Sequence, residues 1–171
     1  MTMTGMKWAI PLSAFTALCG CVYKVPLVEE ALLPIDPAAV GVWTTVRDEA
    51  DAAAKPEKLV VLPFSGNEYM IIYPAGKDEM YFRAYPVEVS GMKLIQLRWI
   101  GQRQSPLGGK EKPYQLCSYD ITDGLLTIRV LNAELLNREA ETPEALQRSL
   151  VENRSAPGLL QDPGRFRKVV E

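Results

Sequence analysis

Two of the three cysteines, Cys19 and Cys21, stand one glycine apart at the end of an uncharged, mostly apolar stretch, WAIPLSAFTALCG, from Trp8 to Gly20. A thiol can serve as a nucleophile, a metal ligand or half of a disulfide. Three cysteines are too few for a disulfide-rich scaffold, and the spacing of Cys19, Cys21 and Cys117 is not that of a zinc site. The chain has no histidine, which removes the commonest general base and the commonest metal ligand together. Ser65, in Phe64-Ser65-Gly66, reads as a turn residue rather than an activated nucleophile. Acidic pairs occur at Glu29-Glu30, Asp48-Glu49 and Asp78-Glu79. Adjacent residues on a strand face opposite ways, so these pairs read as solvated charge and not as a catalytic dyad. There is no G-x-S-x-G, no phosphate loop and no H-E-x-x-H. The expectation is a protein that is not an enzyme, with no cofactor and no catalytic or metal-ligating residue. Cys117 reads as a small apolar core residue.

The cysteine pair has a second reading. Lys7 makes a weakly positive start, and the apolar run after it is shorter than the ~20 residues that span a bilayer. Its length suits a secretory signal. Its end, Leu18-Cys19-Gly20-Cys21, resembles the lipobox of bacterial lipoproteins: a leucine, a tolerant position, a small residue and the cysteine that becomes lipidated. The resemblance implies a signal peptide over residues 1–20, acyl chains such as palmitate on Cys21, and cleavage that makes Cys21 the first mature residue. Two or three chains hold a protein at a membrane firmly, where one is marginal. The alternative is an ordinary secretory signal followed by a disulfide such as Cys21–Cys117. In the family's sorting rule Val22, standing where an aspartate would retain the protein, implies the outer membrane, facing the periplasm.

Bulk properties agree with one globular unit. Hydrophobic residues make up 47% of the 171, charged residues 23%, and the net charge is −2 with both signs interspersed. No basic face is implied, so nucleic acid is not an expected partner. The expected partners are the membrane, through lipidated Cys21, and either a hydrophobic small molecule or an envelope protein.

Stepping along the chain, residues 21–39 carry Pro26, Pro34 and Pro37 and read as a tether or extended arm. Residues 40–171 read as a single β-rich domain. VGVWTTV is a first strand, and LVVLPF and EYMIIYP form a hairpin around a short turn. Ser90-Gly91 joins MYFRAYPVEV to MKLIQLRWI, and Asp123-Gly124 joins YQLCSYDI to LLTIRVLN, the latter the strongest hairpin signal present. Residues 47–58 and 102–113 read as loops. Thr142, Pro143 and Glu144 open a helix expected over 143–154, with Leu146, Leu150 and Val151 on one face. RFRKVV returns as a short last strand. The expectation is a mainly β fold of about six or seven antiparallel strands in a meander, with one C-terminal helix.

Gly41-Val42-Trp43 at the first strand resembles the lipocalin signature, and with the repeated hairpins it implies a small lipocalin-like barrel, closed or partly open. In that family an arginine of the last strand packs over the tryptophan, a role implied here for Arg167 or Arg129; a cation and an aromatic face attract. The chain lacks the family's T-D-Y motif and its disulfide. By strand parity Tyr81, Arg83 and Tyr85 share a face, as do Ile95, Leu97 and Trp99. Tyr81, Arg83, Tyr85 and Trp99 are thus the candidate lining of a ligand cavity suited to an amphipathic acid. The alternative is an envelope interaction protein with a filled core, recognised by a large exposed apolar patch.

Overall fold

The computed structural model describes residues 23–46, 55–103, 105–106, 108, 113–161 and 163–169. The apolar N-terminal stretch, with Cys19 and Cys21, lies outside these residues, as does most of the alanine-rich segment after β1. The strands are β1 (Gly41–Thr45), β2 (Lys58–Pro63), β3 (Tyr69–Tyr73), β4 (Met80–Val89), β5 (Met92–Gln102), β6 (Ser105–Pro106), β7 (Tyr114–Thr122), β8 (Leu125–Val130) and β9 (Gly164–Lys168). One helix, α1 (Pro143–Asn153), stands between β8 and β9.

Eight strands close into an antiparallel barrel in the order β1-β2-β3-β4-β5-β7-β8-β9, with β9 pairing back to β1. The two-residue β6 folds back on the end of β5. Closure by β9 brings the barrel to eight strands, above the six or seven expected. The barrel is closed, not partly open. β5 also runs through Gln102, and β6 sits where a plain loop was expected.

Both predicted two-residue turns form. Ser90 (φ 50°) and Gly91 (φ 80°) join β4 to β5, and Asp123 (φ 51°) and Gly124 (φ 71°) join β7 to β8. Two successive left-handed residues match the twist of the flanking strands. α1 starts where capping chemistry predicts: the Thr142 hydroxyl accepts from the Ala145 amide at 3.2 Å, with Pro143 in the first helical position.

The barrel has two ends. The mouth carries the β2–β3, β4–β5 and β7–β8 turns. The base carries the β3–β4 connection and the start of β7. Two apolar clusters hold the fold, one on each side of the wall. Trp43, Val61, Tyr69, Phe82, Leu97 and Phe166 are among the residues that fill the interior. The outer cluster lies between the wall of β4, β5 and β7 and a cover made by the arm and α1, with Tyr23, Leu27, Leu146 and Leu150 all buried.

The arm from residue 23 to the start of β1 is therefore an extended segment docked along the wall. Tyr23 and Tyr114 exchange backbone hydrogen bonds at 3.2 Å at the base. The amide side chain of Gln96 then holds the chain: its Oε1 accepts from the amides of Leu27 (2.5 Å) and Val28 (3.1 Å), and its Nε2 donates to the Val28 carbonyl (3.1 Å). Tyr85 donates to the same carbonyl at 2.5 Å, and Gln147 of α1 donates to the Leu27 carbonyl at 2.7 Å. Farther on, Asn67 donates to the Ala31 carbonyl and the Ile35 amide to the Gly66 carbonyl, at the mouth. A single 3-10 turn, Pro37–Ala39, then leads into β1.

Candidate ligand site at the barrel mouth

Trp43 is fully buried and donates from Nε1 to the Ala39 carbonyl at 2.9 Å, which fastens the arm across part of the mouth. The cation over its ring is Lys168, with Nζ 5.1 Å from the ring centroid and donating to the Ala38 carbonyl at 3.0 Å. Neither implied arginine has this place. Arg167 pairs with Thr44 on β1 and Arg129 with Ser118 on β7. The register puts Lys168 opposite Trp43, so the residue beside Arg167 takes the position. Gly41 has φ of +140°, and a Cβ there would meet the Lys168 side chain at 2.9 Å. The glycine of the G-x-W pattern thus leaves room for the cation that covers the tryptophan.

The wall divides the four residues expected to line a cavity. Even-numbered positions of β4 face inward, with Met80, Phe82 and Ala84 in the interior cluster. Tyr81, Arg83 and Tyr85 therefore share a face as parity required, but it is the outer face. Tyr81 donates to Glu79. Arg83 pairs with Glu68 and lies 3.6 Å over the Phe64 ring. Tyr85 belongs to the clamp on the arm, and burial pushes its phenol up to about 12. Trp99 alone packs with the interior, its Nε1 donating to the Gly101 carbonyl at 2.8 Å. Cys21 lies outside the described residues. Cys117 is fully buried inside the barrel.

The open space lies elsewhere. Inside the wall is a cavity of about 50 Å³, lined only by apolar surface from residues that include Val61, Tyr73, Phe82, Leu97 and Ile128. Apolar cavities of this kind stay dry. At the mouth is a larger cleft of about 520 Å³, between arm residues 33–38, the β4–β5 hairpin and the end of β7. That volume falls within the range of small-molecule sites. Tyr119 lines both spaces. Its phenol is hydrogen-bonded to that of Tyr69, which accepts from the Asp36 amide at 2.6 Å and donates to the Asp36 carbonyl at 3.2 Å. Burial is the main cause that raises the pKa of both phenols.

Four charged residues line the cleft: Asp36, Glu88, Asp120 and Lys93. Lys93 faces Glu88 across the hairpin. The Asp36 carboxylate accepts from the Ala38 amide at 2.8 Å, and that of Asp120 from the Thr122 hydroxyl at 2.9 Å. Three carboxylates against one ammonium make the rim a place for positive charge or hydrogen-bond donors. Sequence reasoning missed these residues because they come from four separate segments. Their available signal was Glu88 and Lys93 flanking the Ser90-Gly91 turn, where both must point to one side of the hairpin.

Among the described residues no group of three His, Cys, Asp or Glu is placed to hold a metal ion, and no helix is long and apolar enough to cross a membrane. No known family matches the chain, and neither a curated protein nor a solved structure matches it.

Proposed function

We propose that this chain is a lipid-anchored envelope protein, fastened through Cys21 to the outer membrane and facing the periplasm, that binds a small amphipathic ligand at the mouth of its barrel. The role is binding and not catalysis. The observation that carries the ligand reading is the juxtaposition at Tyr119 of a ligand-sized cleft with an acidic rim and an apolar cavity behind it. A head carrying an amine or several hydroxyls suits Asp36, Glu88 and Asp120, and a short apolar tail suits the space beyond Tyr119. The acidic rim moves the preference away from the amphipathic acid first expected.

Support for the anchor comes from the lipobox resemblance at Leu18-Cys19-Gly20-Cys21. Incorporation of labelled palmitate, lost in Cys21→Ser, tests it. The ligand reading is tested by titrating the soluble Cys21→Ser protein with butylamine and with butyrate, whose short tails suit the small inner cavity, following tyrosine and tryptophan fluorescence. The amine is expected to bind at least tenfold more tightly. The double change Glu88→Lys, Asp120→Lys should reverse the preference, and Tyr119→Trp should weaken both by narrowing the passage. No binding of either amphipath contradicts the reading.

A second reading, a docking module for another envelope protein, draws on one observation. Leu62 and Phe64 are 45% and 51% exposed at the mouth end of β2. Crosslinking from this face in the native envelope that captures one specific protein, lost in Leu62→Ser, would favour it.

A further inference from the structure

We infer that the barrel stands on the bilayer by its base, with the mouth cleft turned away from the membrane toward the aqueous side. This rests on the reading of Cys21 as the lipidated residue. Cys21 precedes Tyr23 by two positions, and two residues span at most about 7 Å even when fully extended. Tyr23 has no freedom of its own to add. It is 1% exposed, is bridged in both directions to Tyr114, and is followed by the Lys24–Glu139 ion pair at 2.9 Å and by fully buried Leu27. Tyr114 is the first residue of β7, so the anchor meets the barrel at its base. From there the arm runs outside the wall, past Gln96 and Tyr85, and reaches the mouth from Ala31 onward, where Asn67, Gly66 and Tyr69 meet it.

The wall is long compared with the anchor's slack. β4 has ten residues; at about 3.3 Å each and a strand tilt near 40°, the mouth lies about 25 Å from the base. An anchor with about 7 Å of slack at one end cannot present the other end to the same leaflet while Tyr23 stays docked. The chain spends its arm on the outside of the barrel, where it fixes orientation, and leaves almost none as spacer. The ligand of the cleft therefore arrives from solution or from a partner on the aqueous side, and is not taken directly out of the leaflet that holds the anchor.

The test uses the full lipidated protein in vesicles whose lipid headgroups carry a collisional quencher. One dye is placed at the base through Lys77→Cys and one at the mouth through Thr122→Cys, both exposed positions; the buried Cys117 thiol does not compete. The base dye is expected to lose at least half its emission and the mouth dye less than a tenth. Adding Tyr23→Gly and Leu27→Gly, which undock the arm, should bring the two values together. Intact mass of the same preparation reports acylation. Absence of acyl mass on Cys21 overturns the anchor and the orientation together. Acylated protein whose two dyes are quenched equally, or whose mouth dye is quenched more, overturns the orientation alone.

Discussion

Gln96 is a fully buried amide in the wall of a barrel, and both ends of its side chain are met by the arm and Tyr85. Replacing it with leucine leaves the Leu27 and Val28 amides without their acceptor. Each buried polar group so orphaned costs about 1–3 kcal/mol. Gln96→Leu is therefore expected to destabilise the protein by at least about 2 kcal/mol in urea unfolding, and to open the arm to proteolysis near Val28 in the native state. Unchanged stability and an uncut arm would show that the clamp does not hold the arm. The phenols supply a pH prediction. Burial raises the Tyr85 pKa from 10.0 to about 12, and raises Tyr23 and Tyr69 in the same direction. The folded state holds these protons more tightly than the unfolded chain. The stability they contribute is full below pH 10 and is lost as pH rises through about 12. Melting temperature should fall across that window, less steeply in Tyr85→Phe; a flat profile would contradict the assignment. Gln96 was legible only as a lone amide inside KLIQLR. Nothing local says that the outer face there is covered by a segment far away in sequence.

At the scale of elements, local chemistry decided most of what could be read. The Thr142 cap placed α1, and the two glycine-containing turns placed two hairpins, because each is a short-range device whose geometry depends on a few neighbouring residues. Gly124 lies at φ of 71°. Alanine there pays the left-handed penalty of about 1–2 kcal/mol, so Gly124→Ala should lower the urea midpoint without changing the slope, whereas Gly66→Ala, at a position with no positive φ and open space around its Cα, should be near neutral. Equal effects would remove the turn argument. Parity showed which residues share a face but not which face is inside. β4 alternates between two apolar environments, Phe82 and Ala84 in the interior and Tyr85 and Val87 under the arm and helix. With both faces covered, the usual contrast of wet and dry sides is missing, and Tyr81, Arg83 and Tyr85 were read as interior. The docking of the arm was not legible for a related reason. Three prolines mark an extended segment, but an extended segment can be buried when side chains such as Gln96 and Asn67 satisfy its backbone.

For the whole molecule, an eight-stranded barrel is at the size where side chains nearly fill the interior or leave room for one small ligand. This barrel divides the difference along its axis. Trp43, Phe82 and Phe166 leave only about 50 Å³ within, while the mouth keeps about 520 Å³ between the arm and the longest hairpin. Barrel shape was legible from the run of hairpins and the G-x-W start. The cleft was not, because its residues meet only after β1 has paired with β9 and the arm has folded over the end. The central claim is that this mouth holds an amphipathic molecule with a donor-rich head. The most direct measurement is native mass spectrometry of the Cys21→Ser protein, secreted to the periplasm and purified without detergent. A reproducible bound mass is expected that survives gentle desolvation and disappears in the Glu88→Lys, Asp120→Lys double variant. A clean unliganded mass, or a bound mass that the double variant retains undiminished, would contradict that claim.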